Sequence, residues 1–293
     1  MAFNIEAGNA DLRARFYDKT IKNLAPRMYK FMQALSEDST SAWKNFFWRE
    51  DSTVLTPTGP IGVRGLPPGA QFAQARQKME QIQANIDKYG LEQQIVWEDI
   101  LTNDVDVQER ALFKLAEGVV KAVDDQIYAV LSDGDTSSAI FIYNTGGATI
   151  AGWNETSSAF IDDLLAGQQL IAESNIDTSD LILFVNPRDY RSAMRYITDK
   201  GAQFNSVSNE IAINGRQNKI AGIQLVTSNS VPVSRALLVK PKVVGSWKSL
   251  VPLQTTTIED KFRNVTVRVV QEGVAQLYQP KAAVLYRFTN KTQ

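Results

Sequence analysis

The chain of 293 residues contains no histidine and no cysteine. Without cysteine there are no disulfides and no thiol chemistry, and a reducing compartment fits best. Without histidine as well, Ser-His and Cys-His nucleophiles and a conventional zinc site are excluded. Acid–base work would fall to carboxylates, lysine or tyrosine, which need special environments to titrate near neutrality. Mg²⁺-carboxylate and glycosidase chemistry need neither missing residue, so catalysis is disfavoured rather than forbidden. No apolar run approaches the roughly 18 residues of a membrane helix. The opening "MAFNIEAGNADLRARF" lacks the basic start and apolar stretch of a signal peptide. There is no GxxxxGK[ST] loop, no GxGxxG after a strand and no repeat of solenoid length.

What is present is an ordinary globular composition, 44% hydrophobic and 22% charged, long enough for one large or two ordinary domains. The net charge of −1 is unevenly spread. Residues 1–100 carry 12 basic and 12 acidic side chains, residues 101–200 carry 7 and 16, and residues 201–293 carry 12 and 4. An acidic middle third and a basic last third suggest complementary surfaces, within the chain or between copies of it.

Residues 9–37 read as helical, with Leu12, Phe16, Ile21, Leu24, Met28, Phe31 and Leu35 at three-to-five spacing and Pro26 as an interruption. Trp43, Phe46, Phe47 and Trp48 form an aromatic knot, expected as a packing anchor. Residues 51–77 hold four prolines and four glycines with few large apolar groups, so they cannot build their own core. With "KMEQIQANIDKYGLEQQIVW" (78–97) behind them, they predict a long β-hairpin with Tyr89-Gly90 as a turn. Over 104–132, Val105, Leu112, Leu115, Val119, Val123, Ile127 and Val130 recur on one helical face. Asp106 with Glu109 resembles a capping box there, and Gly134 is the expected stop. The predicted helix is ~28 residues and ~40 Å long, a structural spine. A helix over 157–173, strands at 181–185, 220–232, 235–247, 264–270 and 282–288, and a helix over 187–200 make the whole α+β.

Two acidic groups superficially offer carboxylates to a divalent cation, "NDVDVQE" (103–109) and "DGD" (133–135), and two acidic pairs, Asp124-Asp125 and Asp162-Asp163, fall within helices. The first lacks the glycine and distal glutamate of a calcium loop. The first two read as a helix cap and a turn, and the pairs as solvated helix faces. Glu259-Asp260 reads as a turn and Gly146-Gly147 as a loop. "LILFVNPRDYRSAMRYITDKG" (181–201) is a strand, a sharp turn and a helix N-terminus, an arrangement that can hold phosphate. Yet Asn186 suits an N-cap, Pro187 the first helical turn and Asp189 the positive helix end. The Asp189 carboxylate would repel a phosphate, and no glycine lets the backbone approach one. The local physics predicts a corner, with Tyr190, Met194 and Ile197 as the helix's buried face.

The order of elements carries a resemblance. An arm, a Pro/Gly-tipped hairpin and a long helix ending at "LSDG" precede "FVNPRDYRSAMRYITDKGAQF" (184–204), "KIAGIQLVTSNSVP" (219–232) and "YQPKAAVLYRF" (278–288). Together they resemble a tailed-bacteriophage major capsid protein of the Hong Kong 97-type fold. The resemblance implies an N-terminal arm at 1–49, an extension loop at 50–97, a peripheral domain at 98–134 and 250–293, and an axial domain at 135–249. Residues 200–218 would be the axial loop. It further implies no catalytic, cofactor-binding or metal residue and no cofactor.

The implied function is self-assembly into an icosahedral shell around a double-stranded DNA genome, through pentamers and hexamers made in the host cytoplasm. The implied partners are a scaffolding protein, a portal and a decoration protein, with packaged DNA touched non-specifically and no membrane involved. Some members cross-link through an extension-loop lysine, but residues 51–77 contain none. Some carry a long cleaved segment before the arm, where this chain has about 45 residues, which favours separate scaffolding. Residues 1–45 and 51–77 are expected to order only in the shell. The rival readings are an encapsulin-type compartment and a carboxylate-dependent α/β enzyme built around 181–201.

Overall fold

The computed structural model of the chain describes residues 18–23, 28–50, 68–69, 71–72, 74–75, 79–96, 105–133, 139–145, 152–155, 159–199, 219–259 and 264–289. In chain order the first half supplies β1 (Ser36–Ser39), β2 (Lys44–Glu50), β3 (Met79–Asn85), β4 (Asp87–Ile95) and the spine helix α1 (Val105–Leu131). Then follow β5 (Phe141–Asn144), α2 (Phe160–Glu173), β6 (Ile182–Val185), α3 (Pro187–Asp199), β7 (Lys219–Ile220) and β8 (Ile223–Thr227). β9 (Arg235–Val239), β10 (Gly245–Glu259), β11 (Val265–Leu277) and β12 (Ala283–Arg287) complete the chain. The strands form a four-stranded sheet β1-β10-β11-β4, a six-stranded sheet β5-β12-β9-β6-β8-β7 and the ribbon β2-β3.

The spine helix follows from its periodicity. Leu112, Leu115, Ala116 and Val119 pack on Val265, Val267 and Val269 of β11, with Ile95 and Ile21. Further along, Val123, Ile127 and Leu131 meet Trp247, Ala275 and Leu277 on one side and Phe184, Leu237 and Leu285 on the other. One helix therefore joins both large sheets. It stops at Asp133, which takes the left-handed conformation (φ 49°) that a short polar side chain tolerates. Gly134 and the Asp106/Glu109 side chains lie outside the described residues.

The six-stranded sheet is covered on both faces, so its strands read as unbroken apolar runs rather than alternating ones. In β6, Ile182 and Phe184 face the spine side, while Leu183 and Val185 face α2 and α3. β12 divides likewise: Ala283 and Leu285 one way, Val284 and Tyr286 the other.

Several expectations are corrected. The predicted helix 9–37 is helical at 18–23 but gives way to a 3-10 turn at Met32–Ala34 and then β1. Pairing of residues 36–39 with β10 outweighs the helical spacing. Pro26 lies outside the described residues. Tyr89-Gly90 is not a turn, since both residues sit within β4, opposite Gln271 and Val270 of β11. The hairpin is instead β2 against β3, with Phe47 opposite Ile82, and the chain leaves it at buried Ile86. Residues 51–67, most of its tip, lie outside the described residues. The predicted strand 235–247 is two strands, broken by a turn in which Lys242 has φ 64°. β12 joins β5 and β9 in the six-stranded sheet, apart from the other C-terminal strands.

Candidate assembly surface

The 181–201 corner is built as a clamp. Asn186 Oδ1 accepts the Arg188 N–H at 3.0 Å, the N-cap bond expected of it, and its Nδ2 donates to the Val231 carbonyl at 2.7 Å. Asp189 is fully buried, and its Oδ2 accepts from the Ser234 N–H at 3.0 Å and from Thr289 Oγ1 at 2.7 Å. The carboxylate that sequence placed at the helix end for electrostatic reasons thus ties α3 to the β8–β9 connection and to the residues after β12. Its oxygens serve the protein, and the corner offers no cradle for phosphate.

Two other acids were expected in solvent and are buried. Asp124 of the spine helix accepts backbone N–H groups of Lys30 and Phe31. Asp163 of α2 accepts Trp153 Nε1 at 2.9 Å and a bond from Tyr143. Burial pushes both carboxyls up to about 6, opposed by the hydrogen bonds each accepts. The spacing did carry the signal: Val120, Asp124, Ile127 and Leu131 share one helical stripe, as do Phe160, Asp163, Leu164, Gly167 and Ile171. Asp125 and Asp162 point outward. Among the described residues no three acidic side chains converge as metal ligands. The 103–104 and 134–135 parts of the cation candidates, Gly146-Gly147, Asp260 and the 200–218 loop lie outside them.

What the chain does present is apolar surface. The aromatic knot expected as a packing anchor packs through only one member, Phe47, which is buried edge-on against Tyr278 at 5.5 Å between ring centroids. Glu50 N–H bonds the Tyr278 carbonyl at 2.9 Å, fixing the base of the hairpin to the end of β11. On the opposite face of the ribbon Phe46 is 61% exposed, Trp48 55% and Met79 42%. These three alternate with Lys44, Gln81, Gln83 and Glu50 on one pleated surface. Trp43, just before the ribbon, is half exposed. A two-stranded ribbon is marginal on its own, and bare aromatic faces mark contact sites. Within the chain, Lys240 Nζ reaches Asp177 Oδ2 at 2.8 Å, joining the basic last third to the acidic middle third. No described helix is long and apolar enough to cross a membrane.

No curated protein matches the chain by sequence. Among solved structures, it is similar to a virus-like particle protein from Pyrococcus furiosus, at 11% identity and TM-score 0.63, covering 94% of this chain and 99% of that one. The capsid of cyanophage P-SCSP1u is similar at 14% identity and TM-score 0.63, over 89% and 87% of the two chains. The mature capsid of bacteriophage PhiM1 gives 14% identity and TM-score 0.61, over 90% and 88%. At such identities these likenesses establish the Hong Kong 97-type fold. The family model described as phage capsid protein matches residues 78–285, from the return strand of the hairpin to β12, and the chain therefore belongs to the phage capsid protein family.

Proposed function

We propose that the chain is the repeating subunit of an icosahedral shell that encloses the double-stranded DNA of a tailed phage, and that the β2–β3 ribbon is its extension onto a neighbouring copy. The observation that carries this reading is the exposed Phe46, Trp48 and Met79 face on a ribbon too thin to stand alone. Each such contact can be weak, because closed symmetry repeats it around the shell. In this reading the spine helix and the four-stranded sheet are the peripheral domain. The six-stranded sheet with α2 and α3 is the axial domain, and residues 200–218 are its loop toward the pentamer and hexamer axes. The subunit performs no catalysis and holds no cofactor. Its partners are scaffolding, portal and decoration proteins in the host cytoplasm and virion, and DNA is contained without being read, since at net −1 the chain as a whole is not strongly basic.

Size-exclusion chromatography and negative-stain microscopy of the expressed chain test this. The wild type should form closed megadalton shells, and Phe46→Ser with Trp48→Ser should remain as folded subunits. A monodisperse small oligomer from the wild type, co-expressed with its scaffold, would sink the reading. The likeness to the Pyrococcus furiosus virus-like particle supports a second reading, a protein compartment of the encapsulin type. Shells that hold enzyme cargo instead of DNA would favour it.

A further inference from the structure

Asp124 sits in the last third of the spine helix at 3% exposure. Its Oδ2 accepts the Lys30 N–H at 2.9 Å and its Oδ1 the Phe31 N–H at 3.2 Å. Phe31 leads into the 3-10 turn Met32–Ala34, and its own N–H and that of Lys30 are satisfied from outside by the spine helix carboxylate. The Phe31 ring stacks on Phe184 of β6 at 4.2 Å and meets Tyr128 of the spine edge-on at 5.8 Å. Two residues of the N-terminal chain therefore touch both the spine and the six-stranded sheet. A cleft of about 360 Å³ opens beside them, bounded by Lys30, Lys121, Asp124 and the Ser228–Ser230 turn.

We propose that Lys30, Phe31 and Asp124 form a releasable joint, clamping the N-terminal chain between the spine helix and the six-stranded sheet more firmly in acid than at neutral pH. The joint is a property of the subunit and does not depend on the shell reading.

Among the described residues the charged and titratable groups around Asp124 are few. Asp125 on the same helix raises its carboxyl and the Lys30 ammonium lowers it. The Tyr29 phenol, itself held well above its usual range by burial, adds no charge at these pH values. Lys121 and Glu117 line the cleft with opposite signs. Burial outweighs the rest and leaves the carboxyl at about 6. Opening the joint would return it to water and to an ordinary value of about 3.9. Between those values the closed joint binds a proton that the open one does not, so closure strengthens as pH falls. At neutral pH the ionised carboxylate is held in a buried position at a cost, which opening relieves.

Amide hydrogen exchange of Lys30 and Phe31 in the full chain, from pH 4 to 7.5 and corrected for intrinsic exchange, reads this directly. In the wild type, protection should fall on the order of 10- to 100-fold as pH rises across the range. Asp124→Asn should flatten that dependence, and Phe31→Leu should lower protection at every pH while keeping it. Parallel pH profiles in the wild type and Asp124→Asn overturn the proposal. If Asp124→Asn does not fold, the carboxyl ¹³C shift of Asp124 in the wild type decides. A midpoint near 6 supports the joint, and one near the ordinary value of about 4 overturns it.

Discussion

Asp189, in the first turn of α3, accepts a hydrogen bond from the Thr289 hydroxyl at 2.7 Å, across 100 residues of sequence. With Ser234 N–H on the same oxygen, this carboxylate holds a helix start, a strand connection and the end of β12 at one buried point. Asp189→Ala should cost about 2–4 kcal/mol, because it strands two buried donors, whereas Thr289→Val should cost about 1–2 kcal/mol. Denaturant unfolding of the unassembled subunit measures both. A double-mutant cycle should give a coupling of about 0.5–3 kcal/mol. Strict additivity would mean that the two side chains do not act together.

Gly167 lies under the Tyr286 phenol, and a β-carbon there would overlap the hydroxyl oxygen. Gly167→Ala should therefore destabilise by about 1–3 kcal/mol, although alanine is the better helix former. The Tyr286 hydroxyl has no hydrogen-bond partner among the described residues. Tyr286→Phe should accordingly be neutral or slightly stabilising and should restore part of the loss in the double variant, since the ring Cζ would still lie 2.8 Å from the new β-carbon. Thermal unfolding of the four chains checks it, and equal losses from Gly167→Ala in both backgrounds would contradict the contact.

Asp163 supplies a pH prediction. Its folded carboxyl is pushed up to about 6 by burial, above an unfolded value of about 3.9. Its contribution is therefore fully present below the unfolded value and is lost as pH rises from about 4 through 6, on the order of 2 kcal/mol. Asp163→Asn should remove that component, so the stability difference between wild type and variant should change across this window and level off above it. A difference that stays constant with pH would show that the carboxyl titrates normally.

The two faces of the ribbon should separate stability from assembly. Phe47→Ala, on the inner face against Tyr278, should cost the isolated subunit about 2–4 kcal/mol and speed exchange throughout β2 and β3. Phe46→Ala and Trp48→Ala, on the outer face, should leave subunit stability within about 0.5 kcal/mol. Unfolding curves of the three single variants make the comparison. Equal losses on both faces would mean that the outer aromatics are already packed within the chain.

The sequence disclosed what local physics controls. The spine helix was legible because seven apolar positions keep one period, and the Asn186-Pro187 corner because its cap chemistry is complete within four residues. The hairpin was misplaced because β4 takes its partner from β11, and nothing near Tyr89-Gly90 announces Gln271 and Val270. The chain from residue 29 to 37 misled for the same reason, since its helical spacing yields to β10 and to Asp124. The aromatic knot was noticed, but its division into Phe47 on the inner ribbon face and Phe46 with Trp48 on the outer one needs the pairing register of β2 with β3. The buried acids were hidden by a habit of reading charge as solvent, although two of them lie on apolar stripes.

β12 sits between β5 and β9, and its parallel partner β5 precedes it by the whole of residues 145–282. A nascent chain therefore carries five of the six strands with a gap at their second position until residue 287 has cleared the ribosome. The sheet is completed by inserting β12 between two strands made before it, and such long-range pairing is slow. A chain that stops before residue 283 lacks this strand and leaves β5 without its sheet neighbour. The placement of one five-residue strand makes closure of the six-stranded sheet wait for residues 283–287.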